Sequence, residues 1–249
     1  MAQHQRLSLR AQLYVGRAGM NAVSPQRLPG SISVVVVEDE PLFRDLLVKA
    51  LLGQVPGATV TGSFATGEIA LEQLASIPID ILLSDIDLGR GMTGVELGIE
   101  VRRHFSARGV VLLSNLSQPE LLTRIPTDVQ GGWSYLLKRN ISNIDQLGAA
   151  LHSAAAGEIT IDSEIIAGAE ITRDGPMGCL TSRQIEVLAM VATGLSNQRV
   201  AEELHVGVRT VESSMSLILT QLGLSPDDGI SPRVAAVLAY LGAYTDGRA

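Results

Sequence analysis

The chain is short of four things, and each shortage narrows what it can be. It has a single cysteine, Cys179. One thiol closes no internal disulfide, which suits a reducing compartment and an expected cytoplasmic location. No base partner lies near it in sequence, so Cys179 reads as a linker thiol and not a nucleophile. Lysine is almost missing, with only Lys49 and Lys138. Arginine is the default cation, so a lysine in a special place is less easily an accident. Aromatics are scarce, with one tryptophan, four tyrosines and three phenylalanines. Alanine, valine, leucine and isoleucine must therefore fill the cores. Long hydrophobic runs are also missing. None approaches the roughly 18 residues of a membrane span, so no membrane contact is expected.

Charge is unevenly placed. The formal net charge is −7, yet residues 1–30 carry Arg6, Arg10, Arg17 and Arg27 and no acid. An arginine-rich, acid-free start is compatible with a transit peptide, but a disordered extension is the simpler expectation. Compact domains run to about 100–200 residues, so the 249 residues suggest two small domains.

From Ile32 the pattern alternates. Short apolar runs at Ile32–Val37, Ala58–Ser63, Ile79–Ser84, Gly109–Ser114 and Gly132–Leu137 read as strands. Helically spaced stretches follow each, at Leu42–Leu52, Thr66–Ala75, Val95–Phe105, Gln118–Ile125 and Ile144–Ala155. The β-branched run Ile32–Val37 fits a strand buried on both faces. Five strand-then-helix units predict an α/β fold, a doubly wound five-stranded parallel sheet covered on both sides. Residues 157–178 mix Gly, Asp, Glu and Pro and read as a linker, with some local helix near Ile165. After Thr181 only short helices remain, at Thr181–Thr193, Ser196–Leu204, Val208–Leu222 and Pro232–Tyr240. In the third, Val211, Met215, Ile218 and Leu222 form one apolar stripe.

Ligands of such a sheet bind at the carboxyl ends of its strands. There the sequence places Glu38-Asp39-Glu40, Ser84-Asp85-Ile86-Asp87, Ser114 and Lys138. Each alone is an ordinary polar strand end. Together they form a cluster of acids that something must neutralise, because close carboxylates resist joint ionisation. Oxygen donors without histidine suit Mg²⁺, which leaves room for phosphoryl oxygens. Asp85 would be the nucleophile toward phosphorus, Lys138 a charge partner and Ser114 a hydrogen-bond donor to the product.

On these residues, 31–156 resemble the receiver domain of two-component response regulators. The resemblance implies that Asp85 is the phosphoacceptor and that Glu38, Asp39, Asp85 and the backbone carbonyl of Asp87 hold Mg²⁺. It implies that Ser114, Tyr135 and Lys138 form the switch, with Ser114 and Tyr135 drawn inward on phosphorylation. It also implies a sensor histidine kinase as phosphodonor. Gly89 stands where relatives usually have proline, and Asp87 adds a further carboxylate beside the metal.

Gly89-Arg90-Gly91-Met92-Thr93-Gly94 matches G-x-G-x-x-G, the pattern of a dinucleotide loop. It follows the third strand instead of opening the domain, and Asp85 and Asp87 would repel a pyrophosphate. It is expected to be a loop leaving the acidic pocket.

The later segments Leu180-Thr181-Ser182-Arg183-Gln184-Ile185-Glu186-Val187-Leu188, Gly194-Leu195-Ser196-Asn197-Gln198-Arg199-Val200-Ala201 and Arg209-Thr210-Val211-Glu212 resemble the LuxR-type helix-turn-helix. The NarL/FixJ subfamily joins that output to a receiver in this order. The small all-α domain spans 179–245, and its recognition helix begins at Val208. Arg183, Arg199, Arg209, Thr210, Ser213 and Ser214 are the candidate DNA contacts. The resemblance implies a transcriptional regulator, not an enzyme, that dimerises on activation and binds paired half-sites. From Pro176 onward, however, there are five arginines and seven acids, whereas DNA affinity rests largely on cations meeting phosphates. Two other readings stay open. One is an output domain that works through protein contacts, motivated by that acidity. The other is a phosphotransferase or phosphatase using Asp85, for which no small-substrate pocket is apparent.

Overall fold

The computed structural model describes residues 31–141, 144–167, 176–225 and 230–243. The extension expected over 1–30 and the last residues of the expected output domain lie outside them. Strand β1 (Ile32–Val37) is buried at every position. Side chains alternate along a strand, so a wholly apolar run needs a covering layer on each face. The valines divide that way: Val34 and Val36 join one core cluster, Val35 and Val37 the other. Strand β4 (Gly109–Ser114) divides likewise, with Val111 and Leu113 in the first and Val110 and Leu112 in the second.

With β2 (Ala58–Phe64), β3 (Ile81–Asp85) and β5 (Trp133–Leu137), these strands pair in parallel in the order β2-β1-β3-β4-β5. The chain leaves β1 to one side and returns to its other side as β3. That reversal opens a crevice at the carboxyl ends of β1 and β3. Helix α1 (Pro41–Gln54) starts with proline, whose missing N–H costs nothing there. In α2 (Gly67–Leu74) the Thr66 hydroxyl accepts from the Ile69 amide at 3.3 Å. A capping box opens α3 (Gly94–His104), with Thr93 and Glu96 satisfying each other's amides. Helix α4 (Ile144–Ala155) covers the other face, its Leu147, Ala150, Leu151 and Ala154 in the same cluster as Val34 and Val36.

The structure departs from the sequence reading in three places. The third strand begins at Ile81, two residues later than expected, and the Asp80 carboxylate just before it accepts the Ser33 amide at 2.9 Å. The segment expected as a helix at Gln118–Ile125 is a 3-10 helix, Pro119–Arg124. Pro126 disfavours the α conformation at the residue before it, and Ile125 is extended (φ −68°, ψ 131°). Finally, the sheet has a sixth strand. Thr160–Ile161, within the stretch read as linker, forms β6 and pairs in parallel with β5.

Helix α5 (Ser163–Ala167) follows β6 directly. Asp162, between them, is fully buried. Its carboxylate accepts from the Leu137 amide (3.2 Å), the Asn140 side-chain amide (2.9 and 3.0 Å) and the Glu164 amide (3.0 Å). Removing it would orphan buried donors, each costing about 1–3 kcal/mol. We therefore expect Asp162→Ala to lose about 3 kcal/mol in urea unfolding. A loss below about 1 kcal/mol would show that the segment is not fastened this way.

The remaining helices are α6 (Ser182–Ala192), α7 (Asn197–Glu203), α8 (Val208–Gln221) and α9 (Pro232–Gly242). Of the expected stripe, Val211, Met215 and Ile218 are buried and Leu222 is partly so. Helix α9 also packs against the 3-10 helix Pro119–Arg124, so one apolar cluster runs from the sheet into the last four helices. No helix among the described residues is long and apolar enough to cross a membrane.

Candidate functional site

The strand order brings four chain segments to one end of the sheet. Glu38 follows β1, Asp85 ends β3, Ser114 ends β4 and Lys138 follows β5. Lys138 binds the acids together. Its ammonium donates to Glu38 Oε1 at 2.9 Å and to Asp85 Oδ2 at 2.7 Å. Lys138 is 10% exposed, Glu38 0% and Asp85 6% at the side chain. Buried charges persist only when paired, and this lysine is the pairing. The other lysine, Lys49, lies on the exposed surface of α1.

Asp39 is exposed at the mouth, and Glu38, Asp39 and Asp85 each offer an oxygen within 4.8 Å of one another. Glu38 Oε2 is buried, with the Lys138 ammonium 2.9 Å away as its ion-pair partner. Three carboxylates offering oxygens this close together, with a single ammonium against them, fit a cation bound through oxygen.

The Asp87 side chain is not part of this cluster. Its Oδ1 accepts from the Gly89 amide at 3.2 Å, while its own amide donates to Asp85 Oδ1 at 3.2 Å. The extra carboxylate expected beside the metal is spent on shaping the loop.

The glycine motif is explained by the same loop. Gly89 and Gly91 have φ of +75° and +118°, which glycine alone adopts freely. A Cβ on Gly94 would fall inside the Asp85 carbonyl oxygen. Glu68 reaches across from α2 to accept the Met92 amide at 2.9 Å and hold the loop. These glycines let the backbone fold back against its own acceptor strand.

Ser114 is 7% exposed, and its hydroxyl accepts from the Leu116 amide at 3.0 Å. Tyr135 is fully buried already. Its hydroxyl donates to the Leu116 carbonyl at 2.6 Å and accepts from the Gln118 amide at 3.2 Å. Tyr135 therefore already occupies an inward position in this conformation. Arg44, not among the expected site residues, donates to the Glu38 carbonyl at 2.6 Å and steadies the acidic turn from α1. It had no signal, since a helix-surface arginine looks the same in sequence.

Burial holds the Glu38 and Asp85 carboxyls above their usual 4.5 and 3.8, outweighing the hydrogen bond from Lys138. Burial also works against the Lys138 charge, but hydrogen bonds to Asp85 and Glu38 prevail and its pKa is raised above 10.5. The signs follow by linkage. Across the range where both carboxyls are protonated in the fold but not in the unfolded chain, the metal-free fold binds more protons. Its stability therefore falls as pH rises from the usual carboxylate values through the raised ones. Lys138 contributes stability below the usual lysine value, lost as pH passes its raised one. Melting temperatures in chelator should decline along the acid-side window, and Glu38→Gln should flatten that decline. An unchanged slope in Glu38→Gln would refute the assignment.

The expected DNA contacts separate into two groups. Arg183 pairs with Glu186 at 2.6 Å and Arg199 with Glu202 at 2.7 Å. Arg209, Thr210 and Ser213 lie together on the exposed face of α8, while Ser214 is half-buried. Glu212 and Leu217 share that exposed side.

With that geometry established, comparison with known proteins gives consistent matches. The profile of the response regulator receiver domain matches residues 34–151. That of the luxR family of bacterial regulatory proteins matches residues 179–227. The chain is 30% identical over 213 residues to the probable transcriptional regulatory protein NarL of Mycobacterium tuberculosis, covering 84% of this chain and 93% of that one. It is 27% identical over 201 residues to the transcriptional regulatory protein LiaR of Bacillus subtilis, covering 78% and 92%. A solved structure of the RcsB response regulator of Salmonella typhimurium aligns over 86% of this chain and 98% of its own, at 20% identity and a TM-score of 0.49.

Proposed function

Because the chain belongs to the response regulators that join a receiver to a LuxR-family output domain, and so acts as a DNA-binding regulator of transcription, we propose that Asp85 is the phosphoacceptor controlling it. The observation that carries this reading is the convergence of Glu38, Asp39, Asp85 and Lys138 on one small pocket. We assign the receiver, expected over 31–156, to residues 31–161, because β6 belongs to its sheet; we assign 179–245 to the output domain, and a sensor histidine kinase as donor.

An Asp85 carboxylate oxygen attacks the phosphorus of a phosphohistidine. The P–O bond forms as the P–N bond breaks, and the imidazole leaves with the bonding pair. Lys138 lies against Asp85 Oδ2 and is placed to follow the charge onto the phosphoryl oxygens. Glu38, Asp39 and Asp85 would hold Mg²⁺, with the Asp87 carbonyl as a fourth donor. The ion supplies neutralisation of the charge that gathers on the transferring group.

Ser114 accepts from the Leu116 amide, so its own hydrogen is free to donate to a phosphoryl oxygen. Such a donation pulls on Leu116, whose carbonyl holds Tyr135. Tyr135 in turn holds the Gln118 amide, which leads into the 3-10 helix under α9. Phosphate at Asp85 biases this chain of contacts between two arrangements, and dimerisation of the output domain follows.

DNA binding rests on a small cationic face, because Arg183 and Arg199 are already paired. Anisotropy titrations of a promoter fragment over a salt series should give a shallow slope of log affinity against log salt, about −1 to −3 per protomer. Acetyl phosphate should strengthen binding, and Arg209→Ala should reduce the slope by about 1. Salt-independent or absent binding favours an output domain that works through protein contacts, for which exposed Leu217 on α8 is the supporting feature.

A further inference from the structure

The Lys138 ammonium has three N–H donors. Two are accounted for by Glu38 and Asp85. Glu38 Oε2 also lies 2.9 Å from the ammonium, and beyond these oxygens the ammonium lies over an aromatic face, 4.9 Å from the centroid of the Phe43 ring. Phe43 is partly buried on the first turn of α1, five residues after Glu38 and next to Arg44, which fastens the same turn. The aromatic face carries negative charge density, and a partly desolvated cation above it gains more than it would in water.

Resting on the reading of Asp85 as phosphoacceptor, we propose that Phe43 is a positioning residue that holds the Lys138 ammonium in the pocket through a cation–π contact. The carboxylate contacts of Lys138 must rearrange when a phosphoryl group reaches Asp85. The ring contact does not depend on either carboxylate. It keeps the ammonium at the pocket while its hydrogen bonds change partner. Leucine in this place would preserve apolar volume but offer no face for the cation.

The test is a set of single-turnover labelling rates with acetyl phosphate and Mg²⁺, followed by intact mass. Phe43→Leu should slow labelling about fivefold, and Phe43→Tyr and Phe43→Trp should restore it, since both rings retain the cation-binding face. In a Lys138→Met background, Phe43→Leu should change the rate by less than about twofold, because the cation it acts through is gone. Two results overturn the inference while leaving Asp85 as acceptor: a Phe43→Leu rate equal to wild type, or an equal loss in the Lys138→Met background. A wild type that takes no label at all overturns the inference and the acceptor assignment together.

Discussion

Asp85→Asn is expected to abolish phosphoryl uptake without unfolding the protein. The amide oxygen of the introduced asparagine can still accept from Lys138 where Asp85 Oδ2 does at 2.7 Å, but it is no nucleophile toward phosphorus. The substitution also removes one of two carboxyls that burial holds above their usual ionisation range. Removing the cost of burying that charge should leave the metal-free variant at least as stable as wild type at neutral pH. Intact mass after incubation with acetyl phosphate and Mg²⁺ should show one phosphoryl adduct on wild type and none on the variant. Thermal melting alongside separates lost chemistry from lost structure. An adduct that persists on a folded Asp85→Asn protein would place the acceptor elsewhere and remove the basis of the proposed function.

The second large effect concerns the glycine loop. Gly94→Ala is expected to cost about 2–4 kcal/mol and to slow phosphorylation in whatever fraction still folds. Its methyl would meet the carbonyl oxygen of Asp85, the Asp85 carbonyl carbon at 2.9 Å and Ser84 Oγ at 2.9 Å. The first two are backbone, which cannot step aside as the end of a flexible side chain can. The strand that presents the acceptor would have to move. Gly89→Ala is the control. Its Cβ finds only Asp39 Oδ2 at 3.5 Å, so its cost is the left-handed backbone alone, about 1–2 kcal/mol. Urea unfolding of the two variants should rank Gly94→Ala as clearly worse. Equal costs would mean that the loop, not its close approach to Asp85, is what the glycines serve.

The two glycines also show where sequence reasoning succeeds and where it stops. The position of G-x-G-x-x-G after the third strand, with acids before it, is enough to expect a loop leaving the acidic pocket, and the glycines do shape such a loop. That Gly94 must be glycine because it touches Asp85 depends on a backbone approach that no pattern reports. Tyr135 makes the same point. Its place three residues before Lys138 was legible, but its direction was not, since burial of its hydroxyl depends on the loop after β4. Arg183 and Arg199 looked available for DNA as residues in a helix-turn-helix. Acids three residues further along each helix pair with them. That spacing was present in the sequence and could have been used.

Strand β6 was illegible for a different reason. Two residues carry no periodicity, and Thr160–Ile161 becomes a strand only because β5 presents an open edge.

What the sequence determined by itself was everything encoded in short-range pattern. The apolar runs dictate strands buried on both faces, the alternation dictates a parallel sheet, and the strand ends dictate which polar residues reach one side of it. Tertiary structure alone decided which of those residues pair. Lys138 lies 100 residues from Glu38 and 53 from Asp85. Only the order in which the strands assemble brings one cation within reach of both acids, because that order is fixed by packing across the whole sheet and not by any local preference.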